Sequence, residues 1–200
     1  MRSVRPREIR ADYDRTSIVV YQAYGPHIGR PAVEQGRFVP PFSRTRMTWI
    51  KPSFLWLMER SGWARKAGQE MVLAVRISRA GWEEALSQAV LTNADRRVHR
   101  DADEWRAEFR QARVHVQWDP ERTLRGRRLD ARSIQVGLSQ HVIDRYADEW
   151  VLDIRDLTPA VHRIRRLLGD GDTRRAAALL PRERVYPLPP ELARRIGADV

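Results

Sequence analysis

Apolar positions along the chain follow two periods, and the switches between them divide it into elements. Ser17-Ile-Val-Val-Tyr-Gln-Ala-Tyr24 is rich in β-branched and aromatic residues, which predicts a central strand with one polar intruder, Gln22. Gly25-Pro26 breaks it, and Ile28, Ala32 and Val33 at helical spacing before Gly36 predict a short helix. Arg37 to Thr45 reads as a loop. Met47, Trp49 and Ile50 suit a short buried strand, Pro52 the first turn of a helix and Gly62 its stop. Glu70 to Ser78 is a second apolar strand. Ser78 then caps a helix expected over Arg79 to Leu91, with Trp82, Ala85, Leu86 and Ala89 on one face.

The second half is more polar. Asp101 to Gln111 predicts a charged helix with Trp105 and Phe109 four apart. Val114, Val116 and Trp118 alternate with His115 and Gln117, and Ile134, Val136 and Leu138 alternate with Gln135 and Gly137, so each set predicts a strand. Asp119 to Arg132 between them is expected to be a loop. A short helix at Val142 to Tyr146, a strand over Glu149 to Asp156, and helices over Ala160 to Leu168 and Thr173 to Leu180 complete the series. The expected architecture is α+β: a mixed, twisted sheet with flanking helices over residues 1–157, and a helical C-terminal appendage, 158–200, packed on it. Residues 1 to 15 read as a charged, solvated arm rather than one whose Arg10, Asp12 and Tyr13 fold back.

Composition narrows the function classes. The chain has 200 residues, 42% hydrophobic, and no cysteine, which excludes disulfides, a Cys nucleophile and thiolate metal sites. No apolar run reaches membrane-spanning length and Met-Arg-Ser-Val-Arg-Pro-Arg-Glu lacks a signal-peptide core, so a cytoplasmic protein without a membrane partner is expected. Net charge is +11, and only Lys51 and Lys66 among the 37 basic residues are lysine. Such a balance favours phosphate-rich partners. Arg122, Arg125, Arg127, Arg128 and Arg132 form the densest basic cluster.

The motifs for dinucleotide, P-loop, zincin and nucleophile-elbow chemistry are missing, and no histidine pair has metal-ligand spacing, so no metal is expected. Nor does any Asp or Glu stand out on a strand near the candidate site, which argues against carboxylate-driven hydrolysis. What remains is polar residues on apolar strands: Tyr21, Gln22 and Tyr24; Arg46, Thr48, Lys51 and Ser53 among Trp49 and Trp56; and Gln135. Buried amides need partners, from the fold or from a ligand.

Ile9-Arg-Ala-Asp-Tyr13, Val20-Tyr-Gln-Ala-Tyr24, the block Arg46 to Trp63, Val116-Gln-Trp-Asp-Pro-Glu-Arg122 and Ser133-Ile-Gln-Val-Gly-Leu138 together resemble the bacterial and fungal family described as domain of unknown function 4291, over roughly residues 7 to 160. That name supplies no activity. The order of elements is also similar to the ADP-ribosyltransferase fold, which implies that the mixed, twisted sheet is a split sheet. This second resemblance implies an NAD site with Tyr21-Gln22 in the place of an aromatic followed by Arg or His. Trp49 or Trp56 would lie against the nicotinamide, Lys51 or Arg46 near the pyrophosphate, and Gln135 in the place of a Glu on the nicotinamide ribose. Both glutamines depart from the pattern. Gln135 can bond a ribose hydroxyl but has no charge to stabilise an oxocarbenium-like transition state. The resemblance therefore implies either a transferase with another base or a binding fold without catalysis, and Gln135→Glu is expected to raise transfer. The resulting expectation is ADP-ribosyl transfer from NAD to nucleic acid. The alternatives are a non-enzymatic nucleic-acid binding module and a small-molecule binding protein.

Overall fold

The computed structural model describes residues 5 to 199. A two-residue strand, β1 (Arg10–Ala11), precedes the long apolar run, which forms β2 (Ser17–Tyr24). Pro26 opens α1 (Pro26–Gln35), and Gly36 closes it in the left-handed conformation. β3 (Thr48–Ile50) and α2 (Phe54–Ser61) come next. Pro52 lies just before that helix, and Ser53 caps it, its Oγ accepting from Trp56 N at 3.1 Å. β4 (Met71–Ser78) runs directly into α3 (Arg79–Ser87), with Ser78 as the expected cap.

Two expectations fail beyond this point. The helix expected to reach Leu91 stops at Ser87, and β5 (Ala89–Leu91) follows. A buried apolar triplet reads as helix or strand alike by periodicity; here parallel pairing with Val114 to Val116 makes it a strand. After α4 (Ala102–Gln111), the expected loop from 119 to 132 is a hairpin of β6 (Val114–Arg122) and β7 (Arg128–Leu138), with Arg122 opposite Arg128 and a bulge at Pro120 to Arg122. Pro120 lies beyond the reach of β5, so its missing N–H breaks no ladder.

α5 (Ile143–Arg145) passes through a π-helical turn (Tyr146–Trp150) into β8 (Val151–Asp156). α6 (Thr158–Gly169), α7 (Thr173–Ala178), β9 (Arg184–Val185) and α8 (Pro190–Ile196) complete the chain.

The strands make an α+β arrangement of two main half-sheets, β2-β4-β8 and the mixed β3-β7-β6-β5. One backbone bridge links them, Tyr21 N donating to Lys51 O at 2.7 Å. Beyond that bridge β2 and β3 are not paired, and the sheet splits. Both faces of β2 are covered, which is why its apolar run is continuous. Ile18 and Val20 join Trp82, Leu86, Val116, Ile134 and Val136 in the larger core, and Val19 and Tyr21 join Phe54, Met58, Val161 and Ile164 in the smaller one.

The C-terminal residues add a strand and several anchors. β9 pairs with β1, and the Tyr186 and Tyr13 rings meet edge to face 5.2 Å apart. Glu183 accepts from Phe54 N at 2.7 Å at the start of α2, and Trp118 Nε1 donates to Ile196 O at 2.8 Å. Residues 9 to 13 are thus no solvated arm; Ile9 and Ala11 are buried and the segment folds back. A strand this short exists only through a remote partner, which local pattern does not announce.

Candidate functional site

Where the half-sheets part lies a cavity of about 720 Å³. Gln22 and Tyr24 reach it from β2, Thr48, Trp49 and Lys51 from β3 and its end, and Trp56 and Arg60 from α2. Arg46 comes from the preceding loop, Gln117 and Asp119 from β6 and Gln135 from β7. Eight of the expected residues, Gln22, Tyr24, Arg46, Thr48, Trp49, Lys51, Trp56 and Gln135, are thereby brought to one place. Tyr21 and Ser53 are not. Strand alternation turns Tyr21 to the opposite face of β2 from Gln22, against the Phe54 ring at 5.6 Å, and Ser53 is occupied as the cap of α2.

Gln22 is answered by the fold. Its amide donates to Tyr24 Oη at 2.8 Å and Thr48 Oγ1 at 2.7 Å, and its carbonyl accepts from Tyr146 Oη at 2.5 Å. Tyr24 and Thr48 are themselves 2.7 Å apart. Burial pushes the Tyr24 hydroxyl up to about 12, and the Tyr146 hydroxyl well above its ordinary value, so both stay neutral. One bond between the Tyr24 and Thr48 hydroxyls uses one of their two hydrogens. The other is free to donate toward a ligand.

A second network holds a carboxylate that sequence reasoning missed. Gln135 Nε2 donates to Asp119 Oδ2 at 2.7 Å, and Gln117 Nε2 donates to Asp119 Oδ1 at 2.8 Å. Gln117 and Gln135 are cross-strand partners, and Asp119 is two residues on from Gln117, on the same face. Asp119-Pro120 reads as a turn, but the alternation Val114, Val116, Trp118 against His115, Gln117 extends by parity to Asp119 and carried the signal. Arg60, Gln69 and His27 are further lining residues that the sequence did not single out.

Trp49 lies across β7 because residue 137 is glycine: a Cβ there would come within 3.0 Å of the indole. Lys51 is 7% exposed, and its Nζ donates only to Trp49 O, at 3.3 Å. Burial pushes its amine down to about 8; Arg60 acts in the same direction and Asp119 against it. Among the described residues, Lys51, Arg46 and Arg60 form no salt bridge.

The five arginines do not act as one loop. Arg122 sits 5.9 Å from the Trp56 ring and pairs with Glu59 at 3.4 Å, and Arg132 donates to Trp118 O at 3.2 Å. Arg122 faces Arg128 across the hairpin, but its guanidinium is engaged by Trp56 and Glu59, whereas Arg125, Arg127 and Arg128 are exposed and Arg125 meets Thr173 Oγ1 at 2.6 Å. Among the described residues no group of three or more His, Asp or Glu could hold a metal ion. No helix among them is long and apolar enough to cross a membrane.

The family model described as Domain of unknown function (DUF4291) matches residues 8–186. The chain belongs to this family. The match takes in β1, both half-sheets and β9, and so every wall of the cavity of this DUF4291 protein. No curated protein and no solved structure matches the chain.

Proposed function

We propose that this DUF4291 protein transfers ADP-ribose from NAD, with nucleic acid as the preferred acceptor, on an ADP-ribosyltransferase-like split sheet. The observation that carries the reading is the convergence of Gln22, Trp49, Trp56 and Gln135 on one cavity, with Asp119 bonded to Gln135. A volume of about 720 Å³ lies within the roughly 300 to 1,000 Å³ usual for ligand sites. The cavity also has an indole wall for a flat ring and unpaired cations for a diphosphate.

Trp49 and Trp56 offer the faces for nicotinamide, and Arg46 with Arg60 the charge for the diphosphate. Gln135 orients a ribose hydroxyl and Asp119 accepts the acceptor's proton. NAD supplies a ribosyl carbon whose bond to nicotinamide breaks with both electrons leaving on nicotinamide, while the acceptor's nucleophile bonds that carbon. Asp119 thus takes the part of the other base that Gln135 leaves open, and Gln22 holds the floor rigid.

This alters the expectation for Gln135→Glu. A carboxylate at 135 would face Asp119 across a hydrogen-bond distance, where two carboxylates retain one proton and one pKa rises by about 1 to 3 units. Nicotinamide release should fall on the acid side of neutrality, as the acid limb of its pH profile moves up with that pKa; a rise in rate there would remove Asp119 from the base role.

Thermal shift with NAD, ADP-ribose and short oligonucleotides tests the ligand class. A ligand at a hundred times its dissociation constant stabilises by about 2.7 kcal/mol. Absence of any shift with NAD and ADP-ribose would overturn the reading. The hairpin tip supports the acceptor assignment: replacing Arg125, Arg127 and Arg128 by Ala should lower the salt slope of oligonucleotide binding by about 2 to 3 units. An unchanged slope would make the tip a solvated surface. Oligonucleotide binding without NAD binding would favour a non-enzymatic module in which Trp and Arg hold bases and phosphates.

A further inference from the structure

Lys51 is left without a task by the reading above, and its placement is unusual for a lysine. It sits in the cavity wall with Trp49, Trp56, Gln135 and Asp119, and its backbone is pinned at the single bridge between the half-sheets. No carboxylate lies within salt-bridge distance of its Nζ among the described residues, and its one bond, to Trp49 O, leaves two N–H groups of the ammonium, or one N–H and the lone pair of the amine, without a protein partner. A buried ammonium without a partner is costly, and the neutral amine relieves that cost. The other lysine, Lys66, is exposed and donates to Arg60 O at 2.5 Å.

We propose that the Lys51 amine is a covalent nucleophile toward the anomeric carbon of a ribosyl ligand. This rests on the ADP-ribosyl reading for its donor, though the chemistry requires only a ribose whose first carbon is electrophilic. With NAD, the Nζ lone pair forms a bond to the ribosyl carbon as the bond to nicotinamide breaks and its electron pair leaves with nicotinamide. The extra proton on Nζ passes to Asp119, and the resulting ribosylamine opens to an imine as the ring oxygen takes up that proton. With ADP-ribose, the open-chain aldehyde and the amine give the same imine by losing one water. Hydride from cyanoborohydride reduces either imine to a stable secondary amine. Desolvation is the established way in which proteins prepare a lysine for such chemistry.

Charged and titratable groups facing the cavity are Arg60 from α2, Asp119 from β6, Arg46 from the loop before β3, His27 from α1 and Tyr24 from β2, whose hydroxyl stays neutral. The first two act on the amine directly. With the amine at about 8, adduct formation should rise about tenfold per pH unit below pH 8 and level off above it.

The test is to incubate the full chain separately with NAD and with ADP-ribose, each with cyanoborohydride, which reduces imines in preference to aldehydes and nicotinamide rings, and to map the adduct by peptide mass spectrometry. Lys66 serves as the exposed-amine control. The expected result is adduct on Lys51 from both ligands, at least about tenfold above Lys66 at pH 7, because a ligand held in the cavity lies beside Lys51 and not beside Lys66. Adduct on Lys51 from ADP-ribose alone, with no nicotinamide released from NAD, would support the nucleophile and overturn the transferase reading. NAD consumption with no Lys51 adduct would do the reverse. Adduct on neither lysine, or on both equally, would overturn the inference. Wild-type mapping does not depend on whether Lys51→Arg folds; where that variant melts like the wild type, it should lose the adduct.

Discussion

Replacing Asp119 by Asn should lower the rate of nicotinamide release from NAD by about 10²- to 10⁴-fold, the usual loss when a general base is removed. The fold should tolerate the change. The substituted amide still offers one oxygen to Gln117 or Gln135, and the other glutamine can turn its carbonyl toward the new NH₂ group, so the networks at 2.7 and 2.8 Å survive in altered polarity. The stability change should stay within about 1 kcal/mol, or roughly 2 to 4 °C in Tm for a chain of this size. In the proposed transfer the proton is accepted only as the acceptor attacks, so kcat should fall with little change in KM. A variant with full turnover would show that Asp119 only positions Gln135.

Gln22→Ala should give the largest loss of stability among the cavity substitutions, about 2 to 4 kcal/mol, or roughly 5 to 15 °C in Tm. The amide makes three bonds, and its removal strands the hydroxyl of Tyr146, which is 0% exposed. Tyr24 and Thr48 keep each other, so most of the cost falls on Tyr146 and the void. Tyr146→Phe should therefore be coupled to it, the double variant losing less than the two single variants together. Thermal melts of the four proteins measure this. Unchanged melting with lost NAD binding would instead make Gln22 a ligand contact rather than a strut.

These two residues show how unevenly the site was legible in the sequence. β2, α2, β4 and the alternation at 114–118 and 134–138 are local patterns, and the structure follows them closely. Gln22 was visible as a polar residue in an apolar strand, but its partner Tyr146 is 124 positions away and no spacing connects them. Asp119 was hidden by Asp-Pro, a turn signal that a bulge absorbed here, and by the arginines that follow, which resemble a solvated loop. β1 and β9, two residues each, exist only by pairing across nearly the whole chain. The cavity itself depends on the split between β2 and β3, which no local pattern of residues marks.

If the cavity binds NAD and breaks its bond to nicotinamide, the decisive comparison is nicotinamide release by purified wild type and Asp119→Asn. Both proteins are assayed side by side at equal NAD, with and without an oligonucleotide acceptor. The expected result is release by the wild type, faster with the oligonucleotide, and a loss of at least about a hundredfold in the variant. Equal release from both proteins, or none from wild type at NAD concentrations that saturate binding, would contradict it.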